Sequence, residues 1–179
     1  ILAVCLALMM SATSLIITTS PLIGKILARN EIWATLPLAC VFIGSLVCAI
    51  PASFLMKSFG RRTGFAVGLG FGLIGSGIAT LALVKSSFTL FCLGSLMIGL
   101  FNGFGQFYRF AAADAANEHY RSRAISWVMA GGVIAAFVGP NLANWSRDLI
   151  TGIPFAGSYA SLIILYGISL ILISWIRIP

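Results

Sequence analysis

Charged side chains are the scarcest feature of this sequence, at 8% of 179 residues, with 4 acids against 11 lysines and arginines. A soluble domain carries about a quarter, and one that is also 60% hydrophobic would aggregate. Acids are missing from the interior of every long apolar run, and the single histidine, His119, has no Cys, Asp or second His at ligand spacing, so no metal and no cofactor is implied. Cysteine occurs only as Cys5, Cys40, Cys48 and Cys92, all inside apolar runs. They lack the paired spacing of a zinc site and the density of a secreted disulfide scaffold, and read as small packing residues. The net charge of +7 comes from cations scattered at segment ends rather than gathered in a patch, which argues against a nucleic-acid partner. The first run has no basic leader region, and Val4 stands where a lipoprotein cleavage site needs a smaller residue, so it reads as a span clipped at its start. The last residues, Arg177-Ile178-Pro179, follow directly on an apolar run, as they would in a fragment.

Long apolar runs are what the chain does have. A bilayer core needs about 20 apolar residues in a helix, and six runs reach that length: Ile1–Gly24, Ile32–Met56, Thr63–Val84, Phe88–Ala113, Ala124–Asn144 and Ile153–Ile176. The expectation is an all-α membrane protein, residues 1–179 forming one bundle of six transmembrane helices in a lipid bilayer, with no soluble domain. Ser53 to Arg62 is the sharpest charged break, leaving one run at Lys57, turning at Gly60 and entering the next through Arg61 and Arg62. Placing that turn in the cytoplasm puts Lys57, Arg61, Arg62, Arg121, Arg123 and Arg177 inside, against Lys25, Arg29, Lys85 and Arg147 outside, the bias that membrane insertion favours. Trp33, Trp127, Trp145 and Trp175 fall near run ends, where an indole keeps its N–H wet.

Polar residues within the runs are the candidate sites. Ser11, Ser14 and Thr18 share one face of the first run, and either line a watery path or bond back to their own helix. In the fourth run Asn102, Gln106 and Arg109 share a face. Asn102 and Gln106 read as cavity-facing, whereas Arg109 either joins them or snorkels to the headgroups. Gly60, Gly64, Gly68, Gly72, Ser76 and Thr80 recur every fourth residue, a spacing that lets another helix approach closely. Gly139-Pro140 predicts a bend in the fifth run. Pro51 sits at similar depth in the second, hinting that the first three and last three runs are related halves.

Phe59-Gly60-Arg61-Arg62 resembles the end of the signature between spans 2 and 3 of major facilitator superfamily transporters, with Ser53 at its first glycine. Lys57 stands where the family has an acid, and Ser58 where it has an arginine. Ser20-Pro21-Leu22-Ile23 is similar to the family's end of span 1, Arg121-Ser122-Arg123-Ala124 to its entry into span 5, and Asn102-Gly103-Phe104-Gly105 to its span 4 motif, with Gly99 at the motif's arginine. Gly139-Pro140 is similar to the span 5 motif of antiporters, with Ala135 and Ala143 where that motif has glycines. Tyr108 to Asp114 looks like a bacterial branch that includes riboflavin carriers.

The resemblance implies the amino-terminal bundle, a 3+3 inverted repeat, of a twelve-span carrier in the bacterial inner membrane. It would work with a missing carboxy-terminal bundle of the same chain and move a small organic solute, with riboflavin or a similar compound as the hint. Spans 1, 2, 4 and 5 would line the cavity. The turn and the connector after span 4 would form a cytoplasmic gate holding Lys57, Gly60, Arg61, Arg62, Asp114, Glu118, Arg121 and Arg123. There the reversed charge at Lys57 suggests a pair with Asp114 or Glu118, the alternative being a simple headgroup anchor. Other functions fit less well. An intramembrane serine protease needs Gly-x-Ser-Gly and a membrane histidine, but Ile74 precedes Gly75-Ser76-Gly77 and His119 lies in a connector. A channel needs a pore loop or a ring of acids, neither of which is visible, and on a self-contained homodimer the sequence is silent.

Overall fold

The structure, a computed structural model, describes residues 2–28, 30–115, 121–147, 149–150 and 152–175. Those residues are helical apart from short connections: α1 (Leu2–Leu27), a 3-10 turn (Glu31–Trp33), α2 (Leu36–Phe59), α3 (Arg61–Val84), α4 (Phe88–Gly105), α5 (Tyr108–Ala115), α6 (Arg121–Ser146) and α7 (Ala156–Ser174). Five spans among the described residues are long and apolar enough to cross a membrane, with α4 and the start of α5 counted as one. At 26 residues α6 matches them in length. In lipid, a helix satisfies its own backbone, which is why continuous apolar runs of this length take this form.

Local chemistry sets the helix limits. Pro37 lies in the first turn of α2, where a missing N–H costs nothing. Gly60 separates α2 from α3 at φ 87°, a left-handed value that only glycine adopts without strain. The expected single helix over Phe88–Ala113 is instead broken at Gln106-Phe107, where the Phe107 N–H bonds back three residues to the Phe104 carbonyl at 3.1 Å. The ladder resumes at Ala111, whose N–H reaches the Phe107 carbonyl at 2.9 Å.

Packing follows an internal two-fold pattern. The largest interfaces are α3 with α4, α2 with α4, α1 with α6, and α3 with α7; α1 with α7 and α5 with α6 come next, equal in size. Exchanging the first three spans for the last three turns α2·α4 into α1·α6 and α3·α4 into α1·α7, and returns α3·α7 to itself. That exchange is the pairing of a 3+3 repeat, with α3·α4 a much larger interface than its counterpart α1·α7. Both members of the first symmetric pair rest on glycine. A Cβ on Gly99 of α4 would collide with the Val41 carbonyl of α2, and one on Gly139 of α6 would stand 2.5 Å from the Ser11 carbonyl oxygen of α1. Such backbone contact is how helices associate when lipid removes the hydrophobic driving force.

The α3 stripe instead makes room for large side chains of its neighbours. A Cβ on Gly68 would press on Phe104 at 2.6 Å, and one on Gly72 would lie 3.2 Å from both Phe101 and Tyr166. The ring of Phe101 meets Tyr166 edge-on at 4.8 Å, Phe91 meets Tyr159 at 5.2 Å, and Phe65 stacks on Tyr108 at 4.3 Å. These pairs make α3, α4, α5 and α7 the solid side of the bundle.

Candidate functional site

On the other side α1 and α2 touch little, whereas α2 is drawn hard onto α4 by Gly99 and Gly44. The divergence opens a cleft of about 200 Å³ lined by Met9, Met10, Thr13, Ile16 and Ile17 of α1, by Val41, Phe42 and Ser45 of α2, by Asn102 of α4 and by Gln106. Its walls are apolar or thioether, and its polar groups converge. Thr13 Oγ1 lies 3.3 Å from Asn102 Oδ1 and 2.9 Å from the Met9 carbonyl oxygen to which it donates. Asn102 is only 6% exposed, so that contact with α1 is the fixed polar floor of the cleft. Just below, Arg109 Nη2 donates to Gln106 Oε1 at 2.7 Å.

The structure distributes the sequence candidates over three places. Asn102 and Gln106 line the cleft, and Arg109 reaches it through Gln106. Ser11 and Ser14 lie instead where α1 meets α6, since Gly139 packs against the Ser11 carbonyl and the Ser14 Cβ. The Ser11 hydroxyl bonds back to the Ala7 carbonyl at 2.9 Å, and exposed Thr18 bonds back to that of Ser14 at 2.9 Å. Pro140, half-buried, follows Gly139 within α6, which runs through it. Thr13, absent from the sequence candidates, is the α1 hydroxyl that faces Asn102.

The third place is the end of the bundle at the α2–α3 turn. Lys57 is exposed in the last turn of α2, Gly60 makes the turn, Arg61 is half-buried and Arg123 is exposed. Arg62 Nη2 donates to the Ser174 carbonyl oxygen at 2.6 Å, tying the start of α3 to the end of α7. A guanidinium there meets the negative end of the α7 dipole. Asp114 lies in α5 and Arg121 opens α6, but both side chains, and Glu118 entirely, are outside the described residues. At the opposite end Leu27, Trp33 and Ser86 to Thr89 surround a depression of about 550 Å³, which places the α1–α2 and α3–α4 connections together there.

Comparison with known proteins gives this geometry a context. The family model of the Major Facilitator Superfamily matches residues 2–179. The riboflavin transporter RfnT of Brucella anthropi is 39% identical over 179 residues, which cover 100% of this chain and 45% of that protein. Two uncharacterized MFS-type transporters of Bacillus subtilis are also similar. YdeG is 32% identical over 141 residues, 77% of this chain and 33% of YdeG. YddS is 33% identical over 156 residues, 83% of this chain and 36% of YddS. The chain thus spans less than half the length of these curated relatives. An apolar six-span bundle with an internal inverted repeat, matched along its length by the family model, belongs to the major facilitator superfamily of integral membrane transporters.

Proposed function

We propose that the chain is the amino-terminal bundle of a secondary carrier that moves a small organic solute by alternating access, and that the solute is riboflavin or a close relative. The observation that carries the reading is the cleft between α1, α2 and α4. At about 200 Å³ it is smaller than the roughly 300–1,000 Å³ of a typical small-molecule site, which suits one wall of a site completed by a second six-span bundle of the same protein. Methionine and phenylalanine beside hydrogen-bonding amides suit a flat heterocycle, which takes dispersion contacts on its faces and polar contacts on its edge. The relative named a riboflavin transporter supports that class.

In this reading the α2–α3 turn is cytoplasmic and belongs to the gate, with Lys57 paired to Asp114 or Glu118, and the membrane is a bacterial inner membrane. Rocking of the two bundles exposes the cleft alternately to each side. The test is growth: a riboflavin-auxotrophic bacterium carrying the full reading frame should grow on low external riboflavin and accumulate the radiolabelled vitamin saturably. Absence of uptake by a protein shown to be in the membrane would refute riboflavin as the solute.

A further inference from the structure

Gln106 is the one glutamine of the chain. It caps α4, its own N–H still bonded to the Asn102 carbonyl at 3.3 Å, with the helical ladder broken at the next residue, Phe107, and its exposed side chain lines the cleft. Arg109 grips it twice. Its Nη2 donates to Gln106 Oε1 at 2.7 Å and its Nε to the Gln106 backbone carbonyl oxygen at 3.4 Å, while the guanidinium carbon stands 5.8 Å from the centre of the Phe110 ring. A guanidinium donates and never accepts. The usual ambiguity of an amide, whose oxygen and nitrogen can exchange places, is therefore removed: the oxygen must face Arg109 and the NH2 must face away.

We propose that Arg109 is a positioning residue that orients the Gln106 amide so that its NH2 donates into the cleft, and that the solute edge read there is an acceptor, a carbonyl oxygen or an unprotonated ring nitrogen. Solutes that present an N–H or an ammonium group at that point are rejected, since two donors would meet and the Arg109 charge lies close behind. The inference rests on the cleft being a solute wall. It adds the polarity of that wall and gives Arg109 a task distinct from anchoring at the headgroups.

The experiment uses the full-length carrier and two readouts. In nanodiscs with 15N-labelled glutamine, the Gln106 side-chain NH2 signal is identified by its loss in Gln106→Glu. It should shift in Arg109→Leu and hold its position more closely in Arg109→Lys, which keeps a donor. In uptake assays with riboflavin, Gln106→Glu retains the Arg109 contact but lacks the NH2, so KM should rise about tenfold, the worth of one good hydrogen bond, with a much smaller change in kcat. Arg109→Leu should raise KM about three- to tenfold, and Arg109→Lys should recover part of that. An NH2 signal indifferent to Arg109→Leu, or a KM unchanged in Gln106→Glu, overturns the inference. Absence of riboflavin uptake by the parent counts against the solute alone, and the NH2 signal then decides the matter of Arg109.

Discussion

At the scale of single residues, hydroxyls and charges behave differently in this bundle. A serine or threonine in a membrane helix can satisfy itself on the carbonyl four residues earlier, as Ser11, Thr13, Thr18 and Thr19 do, so its presence says little about which way it faces. That is why the Ser11, Ser14, Thr18 stripe is visible in the sequence while Thr13, which meets Asn102 across the cleft, is not. Only the tertiary contact distinguishes it. Charges are different, because each needs a partner or water. Lys57, exposed at the end of α2 where the family has an acid, is proposed to pair with Asp114 or Glu118. Lys57→Asp should slow uptake by up to about fivefold, since exposed pairs are worth about 0–1 kcal/mol. Adding Asp114→Lys or Glu118→Lys should restore the rate. If neither double variant recovers and Lys57→Gln transports like the parent, Lys57 is an anchor only.

At the scale of elements, glycine decides which helices meet. Gly99, Gly44 and Gly139 bring backbones together, whereas Gly70 and Gly77 of α3 face open space. Gly99→Ala should therefore destabilise by about 1–3 kcal/mol, the usual cost of overpacking, because the atom it strikes is the Val41 backbone carbonyl. Gly77→Ala should be neutral or slightly stabilising. Thermal unfolding of the purified carrier in detergent measures both, and equal melting temperatures for the two variants would contradict this account of the packing. Helix lengths are legible in the sequence, since a run of about 20 apolar residues has one answer in lipid. The every-fourth-residue stripe of α3 is legible for the same reason. The break at Gln106-Phe107 is not, because Gly103 and Gly105 could equally serve close packing within a continuous helix. In the structure they do pack, Gly103 against α2 and Gly105 against Met9.

At the scale of the whole molecule, the connections sort into two ends, with the α2–α3 turn and the end of α7 joined by Arg62, and the α3–α4 turn beside Trp33 at the other. The proposed orientation puts the first of these in the cytoplasm. In a carrier freed of native cysteines, Ser87→Cys should react with an impermeant thiol reagent in intact cells and Ser58→Cys should not; the reverse pattern would invert the topology. The inverted repeat is a property of contacts between distant segments, which Pro51 and Pro140 alone only hint at. The central claim is that the solute passes along the cleft between α1, α2 and α4, and filling it tests that most directly. Saturable riboflavin flux into proteoliposomes should be measured for the full-length carrier and for Thr13→Trp, which places an indole against Asn102 in a space of about 200 Å³. The account predicts a loss of flux of at least about tenfold, as for a blocked binding wall, with equal protein in the vesicles. Flux equal to that of the parent would contradict it.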